Sequence, residues 1–168
     1  MEIVNKRQWK INKILHYLLR ERFKKKIEFN FPENIDRWNL INEIILVKNF
    51  SSYLEIGCDN DDAFSKIKLN DKIGVDPHSG GNFRGTSDLF FHQNKKKFDC
   101  IFIDGLHEYD QVNKDILNSL DSLNENGIIL LHDCLPKSMN QQAVPRFQWV
   151  WNGDVWKSIV KFRCRNDL

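Results

Sequence analysis

Five short apolar runs, each separated from the next by polar or helix-patterned sequence, constrain this chain more than any other feature. They are Tyr53–Ile56, Lys72–Val75, a short one at Phe83–Thr86, Phe98–Ile103 and Ile128–Leu131. Strands alternating with helical periodicity specify parallel βαβ units. The predicted fold is α/β, a Rossmann-like doubly wound parallel sheet of about five strands. Polar groups close several of the runs, at Asp76, Asp104 and His132-Asp133. In such sheets ligands bind outside the carboxyl ends of the strands.

The turn after the first run reads Leu54-Glu55-Ile56-Gly57-Cys58-Asp59-Asn60-Asp61-Asp62 and is expected to lead into a helix. It holds one glycine and four carboxylates where a dinucleotide-binding turn places three glycines. A pyrophosphate is repelled there and a cationic ligand favoured. Asp76 ends the second run, where a carboxylate accepts hydrogen bonds from the two hydroxyls of a ribose; the alternative is that it caps the turn before Pro77. Thr86-Ser87-Asp88 either meets an adenine edge or caps the helix that begins near Leu89.

Asp104 ends the fourth run and His132-Asp133 the fifth, and neighbouring strands lie only ~5 Å apart. These side chains can converge on one cation: carboxylates suit a hard ion such as magnesium, whereas His132 suits a softer one. His107, just past Asp104, is placed to take a proton from a hydroxyl. Capping by Asp133 and a core role for His132 are the plainer alternatives.

Residues 1–28 carry nine lysines and arginines against three glutamates, so the formal net charge of +2 conceals a basic N-terminus on a net acidic remainder. The predicted division is a basic amphipathic N-terminal helix over 1–28 and a Rossmann-like domain over 29–168. In 7–26 the apolar face is Ile11, Ile14, Leu15, Leu18, Leu19 and Phe23, expected to pack on the chain's own domain or on a second copy; membrane association is not expected. A second helix is predicted from Pro32, carrying Ile35, Trp38, Ile41, Ile44 and Ile45. Between the fourth and fifth runs, Val112, Ile116, Leu120 and Leu123 recur at helical spacing, with Gly127 at the expected C-cap. So local a basic patch is no argument for nucleic acid. Four scattered cysteines form no metal-ligand or disulfide pattern and fit a reducing, cytoplasmic setting.

The stretch from Leu54 to about Asn166 resembles class I S-adenosylmethionine-dependent methyltransferases. The resemblance is to the branch with an IDGxHxY…HD signature, which includes macrolide sugar O-methyltransferases and small bacterial enzymes of glycan gene clusters. It rests on Ile103-Asp104-Gly105-Leu106-His107-Glu108-Tyr109, Asp115, His132-Asp133, Val75-Asp76-Pro77, Gly80-Gly81, Thr86 to Phe91, and Gly153-Asp154-Val155-Trp156-Lys157. It implies S-adenosyl-L-methionine as cofactor, held by Glu55, Gly57, Asp59, Asp76, Ser87, Asp88 and Asp104. It further implies a divalent metal, magnesium, at Asp104 and Asp133 with His132 beside them, and His107 as general base. Asp59 and Asp61 replace later glycines of the family's first turn, and His132 stands where the sugar enzymes have a second carboxylate.

The implied activity is O-methylation of a sugar or other small polar acceptor, beneath a lid at 137–152. The alternatives are a non-catalytic cofactor-binding or assembly protein of the same fold, and a metal-dependent hydroxylase. Because the family continues past its GDVW helix into two more strands, the sheet is expected to lack them. Ile128–Leu131 is then an exposed edge, and a homo-oligomer through that edge or the N-terminal helix is the expected assembly.

Overall fold

The structure is a computed structural model that describes residues 5–19, 28 and 35–166. Along the chain run α1 (Lys6–Leu18), α2 (Arg37–Lys48), β1 (Tyr53–Ile56), a 3₁₀ turn (Phe64–Lys66), β2 (Lys72–Asp76), β3 (Phe83–Arg84), α3 (Ser87–Gln93), β4 (Phe98–Ile103), α4 (Tyr109–Asp121), β5 (Leu123–Leu131) and α5 (Trp156–Arg163). The strands form one five-stranded sheet in the order β3-β2-β1-β4-β5, and every pairing is parallel. This is the predicted Rossmann-like α/β fold. Strand order reverses between β1 and β4, which makes the gap above their carboxyl ends the topological switch point.

Two compact units can be distinguished. The first comprises residues 35–106 and 113–132 and contains the sheet. All four residues of β1 are buried, as expected of a central parallel strand. One face of the sheet, with Tyr53, Cys100 and Phe102, packs against Ile41 and Ile45 of α2 and against Phe64 and Ile67 from the 3₁₀ turn. The second unit comprises 5–19, 107–112 and 133–166. There α1 meets the irregular segment around Pro145 to Trp149, and the turn before α5 meets the chain at His107.

Four local expectations are corrected. No α-helix follows β1: the chain turns through Asp59 and Asp61 at φ 45° and 62° and forms only the three-residue 3₁₀ turn. Left-handed backbone twice within three residues prevents a helix from starting there. Leu123 and Gly127 belong to β5, because α4 ends at Asp121 and β5 pairs first at Phe98↔Leu123, then, after an irregularity, at Cys100↔Ile128. Asn126 at φ 63° makes that irregularity, and Gly127 fits because a Cβ there would lie 2.9 Å from the Asp99 carbonyl oxygen.

The second helix begins at Arg37 after Asp36, with Ile35 outside it; Pro32 lies outside the described residues. Finally, α1 buries its polar side. Asn12 and His16 are the buried residues, while Ile11, Ile14, Leu15, Leu18 and Leu19 are exposed. Hydrogen-bonding chemistry decides this orientation: Asn12 donates to the Arg146 carbonyl at 2.6 Å, and a ring nitrogen of His16 lies 3.1 Å from the Pro145 carbonyl. Phe23 lies outside the described residues.

β5 pairs with β4 on one side and has no other strand partner among the described residues. No described helix is long and apolar enough to cross a membrane.

Candidate functional site

In the first unit the site grows out of strand register. Ile56, Ile103 and Leu131 lie side by side at the ends of β1, β4 and β5. One residue further on, the chain presents Gly57, Asp104 and His132. Gly57 takes φ 87°, and a Cβ on it would sit 2.3 Å from the Asp104 carbonyl oxygen, so only glycine lets the two strand ends pass this closely. His132 Nδ1 lies 3.0 Å from Asp104 Oδ1, and its ring packs edge-on to Phe102.

Arg37, in the first turn of α2, enters the same row. Its Nη1 lies 3.6 Å from Asp104 Oδ2. Nothing in the sequence marked it, since a base at a helix start usually faces solvent. α2 covers the sheet face that carries Tyr53 and Phe102, and this places its first turn over the end of β4.

Glu55 is 2 % exposed and accepts a 2.5 Å hydrogen bond from the Tyr53 hydroxyl. Burial pushes its carboxyl up to about 7, reinforced by the charge of Asp104 and opposed by the Tyr53 bond and by Arg37. Burial, with the Glu55 charge beside it, likewise raises the Tyr53 phenol far above its ordinary range.

Asp76 is also buried, and its carboxylate is engaged on both oxygens. Oδ2 accepts from the backbone N–H groups of Cys58 (3.1 Å) and Asp59 (3.0 Å), and Oδ1 from those of His78 (2.7 Å) and Ser79 (2.9 Å). Burial alone would raise its pKa, but these bonds outweigh it and hold the group below the usual carboxylate range. Arg84 adds a cation 3.8 Å from Oδ1. The turn-capping alternative is therefore realised, extended to clasp the β1 turn as well. Asp61 plays a similar part, accepting from the Gly81 N–H at 2.6 Å.

Asp59 contributes backbone to this clasp and stands with Asp61 in left-handed conformation, as glycines in those places would. Thr86, rather than Ser87 or Asp88, caps α3 by accepting from the Leu89 N–H at 3.2 Å, so Ser87 and Asp88 occupy the first helical turn. Asp88 lies 3.6 Å from the Lys114 ammonium.

In the second unit, His107 Nδ1 lies 3.2 Å from the Trp151 carbonyl oxygen and 3.3 Å from Asp133 Oδ2. Both neighbours are acceptors, so Nδ1 carries the proton and Nε2 is the basic nitrogen of the neutral ring. Trp151, expected only as part of a lid, lies tilted against the imidazole at 5.6 Å between ring centres. The other oxygen of Asp133 accepts from Asn152 at 2.8 Å.

The Gly153-Asp154 motif explains itself here. Asp154 accepts from the Tyr109 N–H at 2.6 Å and caps the start of α4, and its own N–H donates to the His107 carbonyl at 3.2 Å. Of the expected metal residues, Asp104 stands beside His132 in the first unit, and Asp133 stands beside His107, the expected base, in the second. Carboxylate and imidazole are donors that divalent ions accept.

A family model described as a methyltransferase domain matches residues 56–134, slightly under half of the chain. No curated protein matches. One solved structure that matches is a S-adenosylmethionine-dependent methyltransferase from Clostridium acetobutylicum ATCC 824, at 17% identity and a TM-score of 0.45, over 73% of this chain. The chain spans 55% of that protein's length.

Proposed function

We propose that this chain is a methyltransferase that binds S-adenosylmethionine and methylates an oxygen of a small polar acceptor, a sugar hydroxyl being the acceptor class the sequence signature favours. The observation that carries this reading is the methyltransferase-domain match over residues 56–134, which encloses the switch point and its row Gly57, Asp104 and His132. The charges in that row support it. Carboxylates at Glu55 and Asp104 suit an ammonium and a sulfonium, and the turn that would cradle a pyrophosphate carries Asp59 and Asp61 instead of glycines.

The cofactor, when bound, supplies an electrophilic methyl group on sulfur. Transfer of that methyl to the acceptor oxygen would break the carbon–sulfur bond and release S-adenosylhomocysteine. The hydroxyl proton goes to His107 Nε2, while Trp151 and Asp133 hold Nδ1 protonated. The protein's main contribution is orientation of donor and acceptor. In the first unit, Asp104 and His132 are the residues that would hold a divalent ion; their carboxylate and imidazole chemistry supports that assignment, and such an ion would lower the acceptor's pKa.

Asp76 favours a second reading. With four backbone N–H groups on its two oxygens, a ribose must displace existing bonds, as would suit a non-catalytic member of the fold. Titration calorimetry with S-adenosylhomocysteine, with and without magnesium and with NAD as control, tests cofactor binding, and methyl transfer from S-adenosylmethionine to a sugar acceptor separates the two. Micromolar binding of S-adenosylhomocysteine with turnover supports the methyltransferase, and binding without turnover the non-catalytic member. Binding of NAD, or of neither, overturns the methyltransferase.

A further inference from the structure

We propose that Arg37 is a ligand-binding residue that takes the carboxylate at the amino-acid end of the methyl donor. This rests on the reading above, in which the donor lies over the switch point. Arg37 and Asp104 are too far apart for a hydrogen bond: 3.6 Å separates Nη1 from Oδ2. Nε is buried without a hydrogen-bond partner, although the side chain as a whole is 34% exposed. Among the described residues the guanidinium makes no hydrogen bond at all. Arginine serving only as counter-ion to Asp104 would be expected to close on it with two parallel short bonds. Here the guanidinium is drawn to the strand end by charge yet, among the described residues, keeps its donors unspent.

Leaving a buried donor unsatisfied is costly, and a carboxylate arriving edge-on at Nε and a terminal nitrogen removes that cost with the geometry guanidinium favours. The surroundings select the ligand class. Asp104 lies beside Arg37, and the two act on Glu55 with opposite electrostatic effects. A dianionic phosphate would meet the Asp104 carboxylate, whereas a zwitterion is matched at both ends: its ammonium faces Asp104 and its carboxylate faces Arg37. Residues of both signs at one strand end are what an α-amino acid group requires.

The experiment compares S-adenosylhomocysteine with 5′-methylthioadenosine, which keeps the adenosine and thioether but lacks the amino-acid end. Both are titrated into the full chain and into its Arg37→Met and Arg37→Lys variants, with thermal unfolding of each variant checked first. Arg37→Met should weaken S-adenosylhomocysteine by about 10- to 100-fold, the range for a lost charged hydrogen-bonding partner, and leave methylthioadenosine within about twofold. Arg37→Lys should recover part of the loss, and it alone is read if the methionine variant fails to fold. Equal weakening of both ligands, or of neither, overturns the role of Arg37. Equal affinity of the unaltered chain for the two ligands also overturns it while leaving the cofactor reading intact, whereas binding of neither overturns the cofactor reading and this inference together.

Discussion

The Tyr53 hydroxyl donates to the Glu55 carboxylate across 2.5 Å, two positions apart on one face of β1 and inside the core. The pair puts an ionisable group where the sheet is driest, directly below the switch point. Its folded-state pKa of about 7, against an ordinary 4.5, binds a proton more tightly than the unfolded chain does. The stabilisation is therefore complete below pH 4.5 and is lost as pH rises through 7. The loss amounts to about 3 kcal/mol at most. Glu55→Gln keeps an acceptor for Tyr53 and has nothing to titrate. Urea unfolding from pH 4.5 to 8 should show a decline in the parent that is absent in the variant; parallel curves would refute the buried proton.

Asp99 works in the opposite direction. At the other end of the sheet it accepts from the backbone N–H and hydroxyl groups of Ser51 and Ser52 and from Asn124. Burial pulls its pKa upward, but these bonds together hold it at about 2. Its contribution is present above the ordinary carboxylate pKa and disappears as pH falls through 2. Acid unfolding should begin at a higher pH in Asp99→Asn than in the parent. Coincident acid transitions would mean that the serine bonds are not formed.

Asp76→Ala leaves four backbone N–H groups without their acceptor and should cost at least about 3 kcal/mol of stability with no ligand present, since bonds to a charged group count individually. Chemical denaturation measures it. A loss below about 0.5 kcal/mol would show the carboxylate turned outward, available to a ribose, with surface-like tolerance of the change.

His107→Ala should lower methyl-transfer turnover by about 10²- to 10⁴-fold while S-adenosylhomocysteine affinity stays unchanged. Full activity of the variant removes His107 as base.

The sheet was legible in the sequence because buried parallel strands read as bare apolar runs: β1 and β4 fall on their predicted bounds. What periodicity could not show is instructive. Leu123 continues the spacing of Val112, Ile116 and Leu120, yet left-handed Asn126 and the tight approach of Gly127 to Asp99 place it in a strand. In α1 the apolar stripe was plain, but two carbonyls at Pro145 and Arg146 draw Asn12 and His16 inward, and no periodic pattern records carbonyls more than a hundred residues away. Asp104, His107, His132 and Asp133 stood out as polar residues at or just past strand ends, and the structure places Asp104 beside His132 and Asp133 beside His107. Arg37 carried no such signal, because its approach to Asp104 comes from which sheet face α2 covers.

Gly153 tests how far positioning reaches. At φ 57° it lies so close to the chain at His107 that a Cβ would overlap the His107 carbonyl oxygen, at 1.6 Å. The same segment is held by Asp154, whose N–H donates to that carbonyl and whose carboxylate caps α4 at Tyr109. Alanine at 153 meets two obstacles together, a left-handed backbone that a side chain disfavours and a collision with backbone, which cannot swing aside as a flexible side chain would. The loop carrying His107 must yield, and the imidazole leaves its place against Trp151 and Asp133. Gly153→Ala should therefore reduce turnover about as strongly as His107→Ala and shift the His107 imidazole titration followed by NMR, while S-adenosylhomocysteine binding, assigned to the first unit, changes little. Asp154→Ala, which loses the cap without the collision, should cost about 1 kcal/mol in stability and depress turnover less. Unaltered His107 titration in Gly153→Ala would mean that the glycine shapes only the turn and that the base is positioned from elsewhere.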